Sequence, residues 1–147
     1  MNVTFVLDPG KSGGYAVCHE GLGAITLHNL EGLSELLDHV AEYKSEHREA
    51  VIEEVPCYCG KDIPGSSTFK LGYSCGMLEG AFRGLEIPVH FVGPKMWQKG
   101  LSGLTGFTGA PRKRVLKEHA HRLYPILKPT LKTADALLIA HHFFTNR

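Results

Sequence analysis

The stretch VTFVLDPGKSGGYAVC, residues 3–18, contains two short apolar runs separated by a glycine-rich turn. The runs 3–8 and 14–18 are rich in β-branched and aromatic residues, a composition that favours strands. Between them, PGKSGG has the residue types that tight turns use. The stretch therefore predicts a β-hairpin near the start of the chain, with Asp8 at the end of its first strand.

The rest of the chain alternates strand and helix signals. Strands are expected at about 23–28, at 50–55 and at Val89–Val92, because these runs are apolar or β-branched and are bounded by turn residues. Apolar residues at helical spacing predict helices from Leu33 to Tyr43, over 67–83, from Pro111 to about Leu123, and from a Thr133 cap to Phe144. This order predicts one α/β domain over 1–147, with a mixed five-stranded sheet flanked by helices.

Glycines recur every fourth residue in the helix expected over 67–83, at Gly72, Gly76 and Gly80. Positions four apart share one helix face, so this face carries almost no side chains. Such a face allows a sheet or a partner chain to approach the helix backbone closely.

Composition limits the classes of protein to consider. With 43% hydrophobic and 21% charged residues and no apolar run near the roughly 20 residues that a membrane span needs, a soluble domain is expected. The N-terminus shows no secretory signal, so a cytoplasmic location with reduced cysteines is expected. GKS at 10–12 resembles the end of a P-loop, but the glycine required five residues earlier is Phe5.

The charges are unevenly distributed along the chain. Between His19 and Glu54 there are nine acidic and two basic residues, whereas residues 95–132 contain nine basic residues and one acidic residue. We call 95–132 the basic segment. It is a candidate phosphate-binding surface, and a solvated helix face is the alternative interpretation.

Three acidic residues stand at the ends of predicted elements, each within an apolar stretch: Asp8, Glu53 and Asp135. Singly, each has an ordinary explanation as a turn former, a half-exposed strand residue or a complement to the helix dipole. Together they suggest a metal site, because a buried carboxylate without a partner is costly and Mg²⁺ prefers oxygen ligands. Glu53 and Glu54 face opposite sides of a strand, so only one of them can join Asp8.

Four motifs carry a resemblance to a known family. In chain order they are LDPGKSGGYAV (7–17), IEEVP (52–56), FKLGYSCGMLEG (69–80) and ADALLIA (134–140). They resemble the first strand and turn, the strand with the catalytic Glu, the LG-x-x-x-G helix and the final catalytic helix of RuvC-like Holliday-junction resolvases, especially divergent phage-type members. No single motif is specific, whereas four in the same order are.

The resemblance implies an RNase H-like fold, a homodimer, and paired cuts in a four-way DNA junction by hydrolysis with two Mg²⁺ or Mn²⁺ ions. It implies catalytic and metal-binding roles for Asp8, Glu53 and Asp135. The family usually has an acid or a histidine one turn before the last Asp, where this chain has Lys132. Three explanations stay open: weaker metal binding, compensation by another acid such as Glu79, or contact between Lys132 and the scissile phosphate.

The same resemblance indicates residues that contact DNA. Lys113 is the best match by motif position, with neighbouring basic residues expected to bind phosphate and two residues of the loop after Glu53 as weaker candidates. Trp97 could be either a packing residue or a base-stacking one. The DNA-binding candidates are Lys99, Arg112, Lys113, Arg114, Lys117, Tyr58 and Lys61.

The function expected from these features is a metal-dependent, structure-selective endodeoxyribonuclease that cleaves four-way junctions. Two alternatives keep the fold and change the activity. One is a junction-binding protein with weak or no nuclease activity, motivated by Lys132. The other is an RNase H-type nuclease that acts on RNA or RNA–DNA hybrids.

Overall fold

A β-hairpin opens the fold, as the first stretch of sequence predicts, in a computed structural model that describes residues 1–10, 12–56 and 62–147. The elements are β1 (Asn2–Leu7), β2 (Gly14–His19), β3 (Ala24–Asn29), α1 (Leu33–Ala41), β4 (His47–Glu53), α2 (Gly65–Gly84), β5 (Val89–Val92), α3 (Pro94–Gln98), α4 (Gly109–Leu123) and α5 (Ala134–Thr145). A short 3-10 helix, Pro125–Leu127, lies between α4 and α5. None of the described helices is long and apolar enough to cross a membrane.

The five strands form one mixed sheet in the order β3-β2-β1-β4-β5. β2 is antiparallel to β1 and β3, whereas β4 is parallel to β1 and β5. Parallel neighbours need a crossover connection, which α2 supplies between β4 and β5. Leu7 pairs with Ile52, so the carboxyl ends of β1 and β4 lie side by side. The predicted mixed five-stranded sheet flanked by helices is confirmed.

Helices cover both faces of the sheet, and alternate strand residues belong to two separate cores. Phe5 and Leu7 of β1 belong to the core that includes residues of α1 and α2. Val6 belongs to the other core, which includes residues of α4 and α5. Because side chains alternate along a strand, Asp8 continues the face of Val6 and is directed to the α5 side.

Helix α5 is buried over most of its length, including every residue in 134–140. The backbone just before α5 lies close against β2. A Cβ atom at Gly14 would lie 2.4 Å from the carbonyl oxygen of Lys132. The prediction that the Thr133 side chain caps α5 is wrong. The Thr133 hydroxyl accepts a hydrogen bond from the backbone N–H of Thr130 instead, at 2.9 Å.

The glycine stripe of α2 faces open space. A Cβ atom at Gly72, Gly76 or Gly80 would meet no atom of the described residues within 4 Å. The possibility that these glycines lie against the sheet is therefore wrong; Cys75, Leu78 and Phe82 are the buried residues of this helix.

Helix α3 was not predicted, because Gly93-Pro94 reads as a break after β5. Proline suits the first turn of a helix, where its missing N–H has no partner to lose. In the structure Pro94 begins α3, and Trp97 in this helix is buried.

Candidate functional site

Asp8 and Glu53 stand at the carboxyl ends of two adjacent parallel strands. Asp8 directly follows β1, and its backbone N–H donates to the Gly14 carbonyl at 3.0 Å, which closes the hairpin. The turn is so tight that a Cβ atom at Gly13 would lie 2.1 Å from the Asp8 carbonyl oxygen. Glu53 is the last residue of β4, and Glu54 is exposed. The alternation of strand residues places Glu53 on the face of Asp8.

Asp135 reaches the same place from the first turn of α5. Asp135 and Asp8 are both buried residues, each with 6% of its surface exposed. The charges of Asp135 and Glu53 both act on Asp8, and the charge of Asp135 acts on Glu53. The structure therefore brings the three predicted acids together, and we call them the carboxylate cluster.

Burial and mutual repulsion raise two pKa values in the carboxylate cluster. The pKa of Asp8 lies well above its usual range, first because of burial and then because of the charges of Asp135 and Glu53. Burial also raises the pKa of Glu53 to about 7, although a hydrogen bond from Trp97 opposes that rise. Near neutral pH, protons therefore compete with any cation for these oxygens.

A lysine provides the positive charge at this site. The Lys113 ammonium on α4 donates to Asp135 Oδ2 at 2.8 Å. Burial lowers the pKa of Lys113, but the charge and hydrogen bond of Asp135 outweigh it and raise the pKa overall, with help from Asp8 and Glu53. Lys113 therefore partly neutralises all three acids.

Lys132 and Glu79 stand apart from the carboxylate cluster. The Lys132 side chain is exposed and makes no ion pair with the cluster. Glu79 pairs with Arg83 at 3.0 Å on the surface of α2 and is not among the charges that act on Asp8 or Glu53. The structure thus gives no support to compensation by Glu79.

The carboxylate cluster supplies oxygen atoms of the kind that bind hard cations such as Mg²⁺. Asp135 Oδ1 is buried and has no hydrogen-bond partner among residues 1–10, 12–56 and 62–147. A buried oxygen without a partner is costly, and a hard cation with oxygen ligands would satisfy it. Within the same ranges, no three acidic, histidine or cysteine side chains converge closely enough to hold a metal as they stand. For all three acids to hold one metal ion, at least one of their side chains would have to rotate.

Comparison with solved structures gives the same fold. No family model matches the chain, and no curated protein matches it significantly. Thermus thermophilus RuvC in complex with a Holliday junction substrate is similar over 99% of this chain and 94% of that chain, with 19% identity and a TM-score of 0.56. A second structure of Thermus thermophilus RuvC covers 98% and 95%, with 20% identity and a TM-score of 0.51. The chain has the RuvC fold. The expected RNase H-like architecture is thereby confirmed.

On this RuvC fold, the basic candidates differ in their surroundings. Lys99, Arg114 and Lys117 are exposed. Arg112 instead holds its own chain together, donating to the carbonyl oxygens of Leu104 at 3.0 Å and Phe107 at 3.4 Å and to Gln98 Oε1. The Arg112 guanidinium therefore links α4 both to the loop that precedes it and to α3.

Two further DNA-contact candidates, Tyr58 and Lys61, lie outside the described residues. Their predicted contacts with DNA remain predictions.

Trp97 is the residue of the site whose role could not be chosen from the sequence. It is 4% exposed, and its indole N–H donates to Glu53 Oε2 at 2.5 Å. The chain has only one tryptophan, in the segment GPKMWQKG, and this rarity was the one available signal. The base-stacking interpretation is disfavoured because the ring is buried.

The raised pKa of Glu53 predicts how stability depends on pH. The folded protein retains a proton that the unfolded chain releases, so the metal-free protein is expected to lose stability as pH rises from about 4.5 through about 7. The loss is up to about 3 kcal/mol, at about 1.4 kcal/mol per pKa unit. Urea unfolding with chelator at pH 5, 6, 7 and 8 measures it. Glu53→Gln should make the fall smaller and leave the part due to Asp8, whose pKa is also raised. An equal fall in that variant would contradict the assignment.

Proposed function

We propose that the protein is a divergent RuvC-like endonuclease that hydrolyses phosphodiester bonds in four-way DNA junctions with Mg²⁺ or Mn²⁺. The observation that carries the proposal is the buried carboxylate cluster, in which Asp135 pairs with Lys113 through one oxygen and leaves the other without a partner in the described ranges. The similar Thermus thermophilus structure is a complex with a Holliday junction substrate, which supports branched DNA as the ligand.

Asp8, Glu53 and Asp135 would hold the metal ions, two per site by the family pattern. Bound there, the metal would stabilise the attacking and leaving oxygens of the scissile phosphate. The chain itself supplies largely buried carboxylates and a lysine, Lys113, whose side chain is 44% exposed. Because that side chain is both accessible and beside the acids, its ammonium can face a phosphate oxygen.

The basic surface of α4 and its neighbourhood would hold the DNA backbone. Lys99, Arg114 and Lys117 are exposed and can approach phosphates, whereas Arg112 contributes by fixing the loop before α4. Contacts of this kind position the duplex without reading its sequence, and they weaken as salt increases.

The test is incubation of the protein with a synthetic four-way junction, a linear duplex of the same sequence and an RNA–DNA hybrid. Each substrate is assayed with Mg²⁺, with Mn²⁺ and with chelator. Paired cuts in the junction alone, dependent on metal, are expected. Cleavage of the hybrid in preference to the junction would favour the RNase H-type alternative, and no cleavage of any substrate would overturn the nuclease assignment.

Junction binding with little or no cleavage is the second candidate, and Lys132 is the observation that favours it. An acid at this position would add a metal ligand one turn before Asp135. If the natural protein only binds junctions, Lys132→Asp is expected to raise cleavage strongly. If Lys132 contacts the scissile phosphate, the same variant should cleave less than the natural protein.

We also propose that two copies of the chain associate through α2. Phe69 and Tyr73 are 71% and 61% exposed, stack with ring centroids 6.2 Å apart, and lie on the same helix as the open glycine stripe. A two-fold axis would bury the same apolar face on both copies and would allow two cuts in one junction. Light scattering that gives a monomer at micromolar concentration would contradict this proposal.

A further inference from the structure

We propose that Trp97 is a positioning residue that holds the Glu53 carboxylate ready for the metal, an inference that rests on the proposed metal-dependent function. Its indole N–H donates to Glu53 Oε2 at 2.5 Å. No feature of the family resemblance assigns a role to this tryptophan.

The chemistry of the two groups makes this hydrogen bond specific. An indole N–H can only donate, so a buried tryptophan must find an acceptor. Glu53 supplies it through a single oxygen, and a bond to an ionised acceptor is stronger than a neutral one. Oε2 is thereby occupied, whereas Oε1 accepts no hydrogen bond within the described ranges. Oε1 is the oxygen left to meet a cation.

Trp97 can hold Glu53 because its own position is fixed from two sides. Its ring belongs to the core formed with α4 and α5, together with Val51 and Leu104. The next residue, Gln98, accepts a hydrogen bond from Arg112 of α4. Short helix α3 is therefore tied to α4, the helix whose Lys113 pairs with another acid of the carboxylate cluster.

The hydrogen bond limits the freedom of a flexible side chain. Glutamate has three rotatable side-chain bonds, and ordering them costs conformational entropy. In the free protein the Trp97 bond already orders Glu53, so metal binding does not have to. Hydrogen-bond partners that orient metal ligands in this way typically change metal affinity by 10–100-fold when they are removed.

The experiment measures Mg²⁺ binding to the protein without DNA by titration calorimetry, for the natural chain and for Trp97→Phe. Phenylalanine keeps an aromatic ring in the core but removes the donor. We expect the Mg²⁺ dissociation constant to rise on the order of tenfold or more. Leu36→Ala serves as the control for lost stability, since Leu36 is buried in the core on the opposite face of the sheet. Its Mg²⁺ affinity should be unchanged although its melting temperature falls.

The outcomes separate this inference from the proposed function. If the natural protein binds no Mg²⁺ in the absence of DNA, the positioning inference fails, and the junction-cleavage assay decides the nuclease proposal separately. If it binds Mg²⁺ and Trp97→Phe binds it equally well, the positioning role is overturned and the nuclease proposal stands. Equal losses of affinity in Trp97→Phe and Leu36→Ala would show that Trp97→Phe acts only by destabilising the fold, which also overturns the inference.

A spectroscopic measurement tests the bond even if Trp97→Phe fails to fold. Because the chain contains one tryptophan, its ¹H–¹⁵N spectrum has a single indole cross-peak. We expect that peak to shift upfield in Glu53→Gln, which replaces a charged acceptor with a neutral one, and to move on addition of Mg²⁺ to the natural protein. An indole peak that responds to neither change would overturn the proposal.

Discussion

Asp8→Asn, Glu53→Gln and Asp135→Asn are each expected to lower junction cleavage by at least about a thousandfold, the largest effect anticipated for this protein. Removing one preorganised group that stabilises transition-state charge typically costs 10²–10³ in kcat, and each of these acids would also be a metal ligand. Their burial beside one another is the physical reason, because a neutral amide cannot offset the charge of a cation in a largely buried site. Single-turnover cleavage of a labelled four-way junction measures the loss.

The strand itself offers a matched control for this prediction. Glu54 follows Glu53 but is exposed, since neighbouring strand residues face opposite sides. Glu54→Gln removes the same charge from the same strand and should cleave at the natural rate. Equal loss in Glu53→Gln and Glu54→Gln would place the effect outside the carboxylate cluster. Junction binding in chelator should persist in all four variants, which separates catalysis from recognition.

Lys113→Gln is expected to have the second-largest effect, lowering cleavage of a saturating junction by on the order of a hundredfold. The Lys113 ammonium pairs directly with the carboxylate cluster, at 2.8 Å from Asp135 Oδ2. Without it Asp135 loses a hydrogen-bond donor, and the scissile phosphate loses a cation. Junction binding should weaken much less. The slope of log affinity against log salt concentration should fall by about one, the contribution of one phosphate contact.

Two other lysines make the Lys113 result interpretable. Lys44 is exposed beyond the end of α1, outside the basic segment, and Lys44→Gln should leave cleavage and binding unchanged. Lys132→Gln should reduce cleavage less than Lys113→Gln, because Lys132 makes no ion pair with the carboxylate cluster. If the order of these two effects is reversed, Lys132 is the lysine that acts on the phosphate and the role proposed for Lys113 is wrong.

The carboxylate cluster is expected to lower the stability of the metal-free protein at neutral pH. Burying three acids with one lysine raises the pKa values of Asp8 and Glu53, so ionisation at neutral pH works against the folded metal-free state. Natural sites often retain such destabilising arrangements because the activity needs them. Asp8→Asn and Glu53→Gln should therefore stabilise the metal-free protein at neutral pH.

Patterns of neighbouring residues along the chain were sufficient to predict most of the strands and helices. The hairpin, the strand at Val89–Val92 and the longer helices were readable because alternation and helical spacing are properties of neighbouring residues. Helix α3 was missed because Gly93-Pro94 signals a strand end and equally permits a helix start. The glycine stripe had two interpretations, and only the packed structure shows that it faces open space among the described residues.

For the candidate site, the amino-acid sequence alone determined which acids stand at the ends of elements within apolar surroundings: Asp8, Glu53 and Asp135. The placement of these acids is a local feature, because it depends on a residue and its immediate neighbours along the chain. Lys113 was singled out within the basic segment by the family resemblance, through its motif position.

Only the tertiary structure decided that Lys113 rather than Lys132 pairs with Asp135, that Arg112 fastens a loop, and that Trp97 donates to Glu53. These contacts join residues that are 22, 8 and 44 positions apart. Periodicity along the chain carries no information about such pairs. They arise only when the helices pack on the sheet and every buried donor and acceptor must find a partner among the groups that packing brings near.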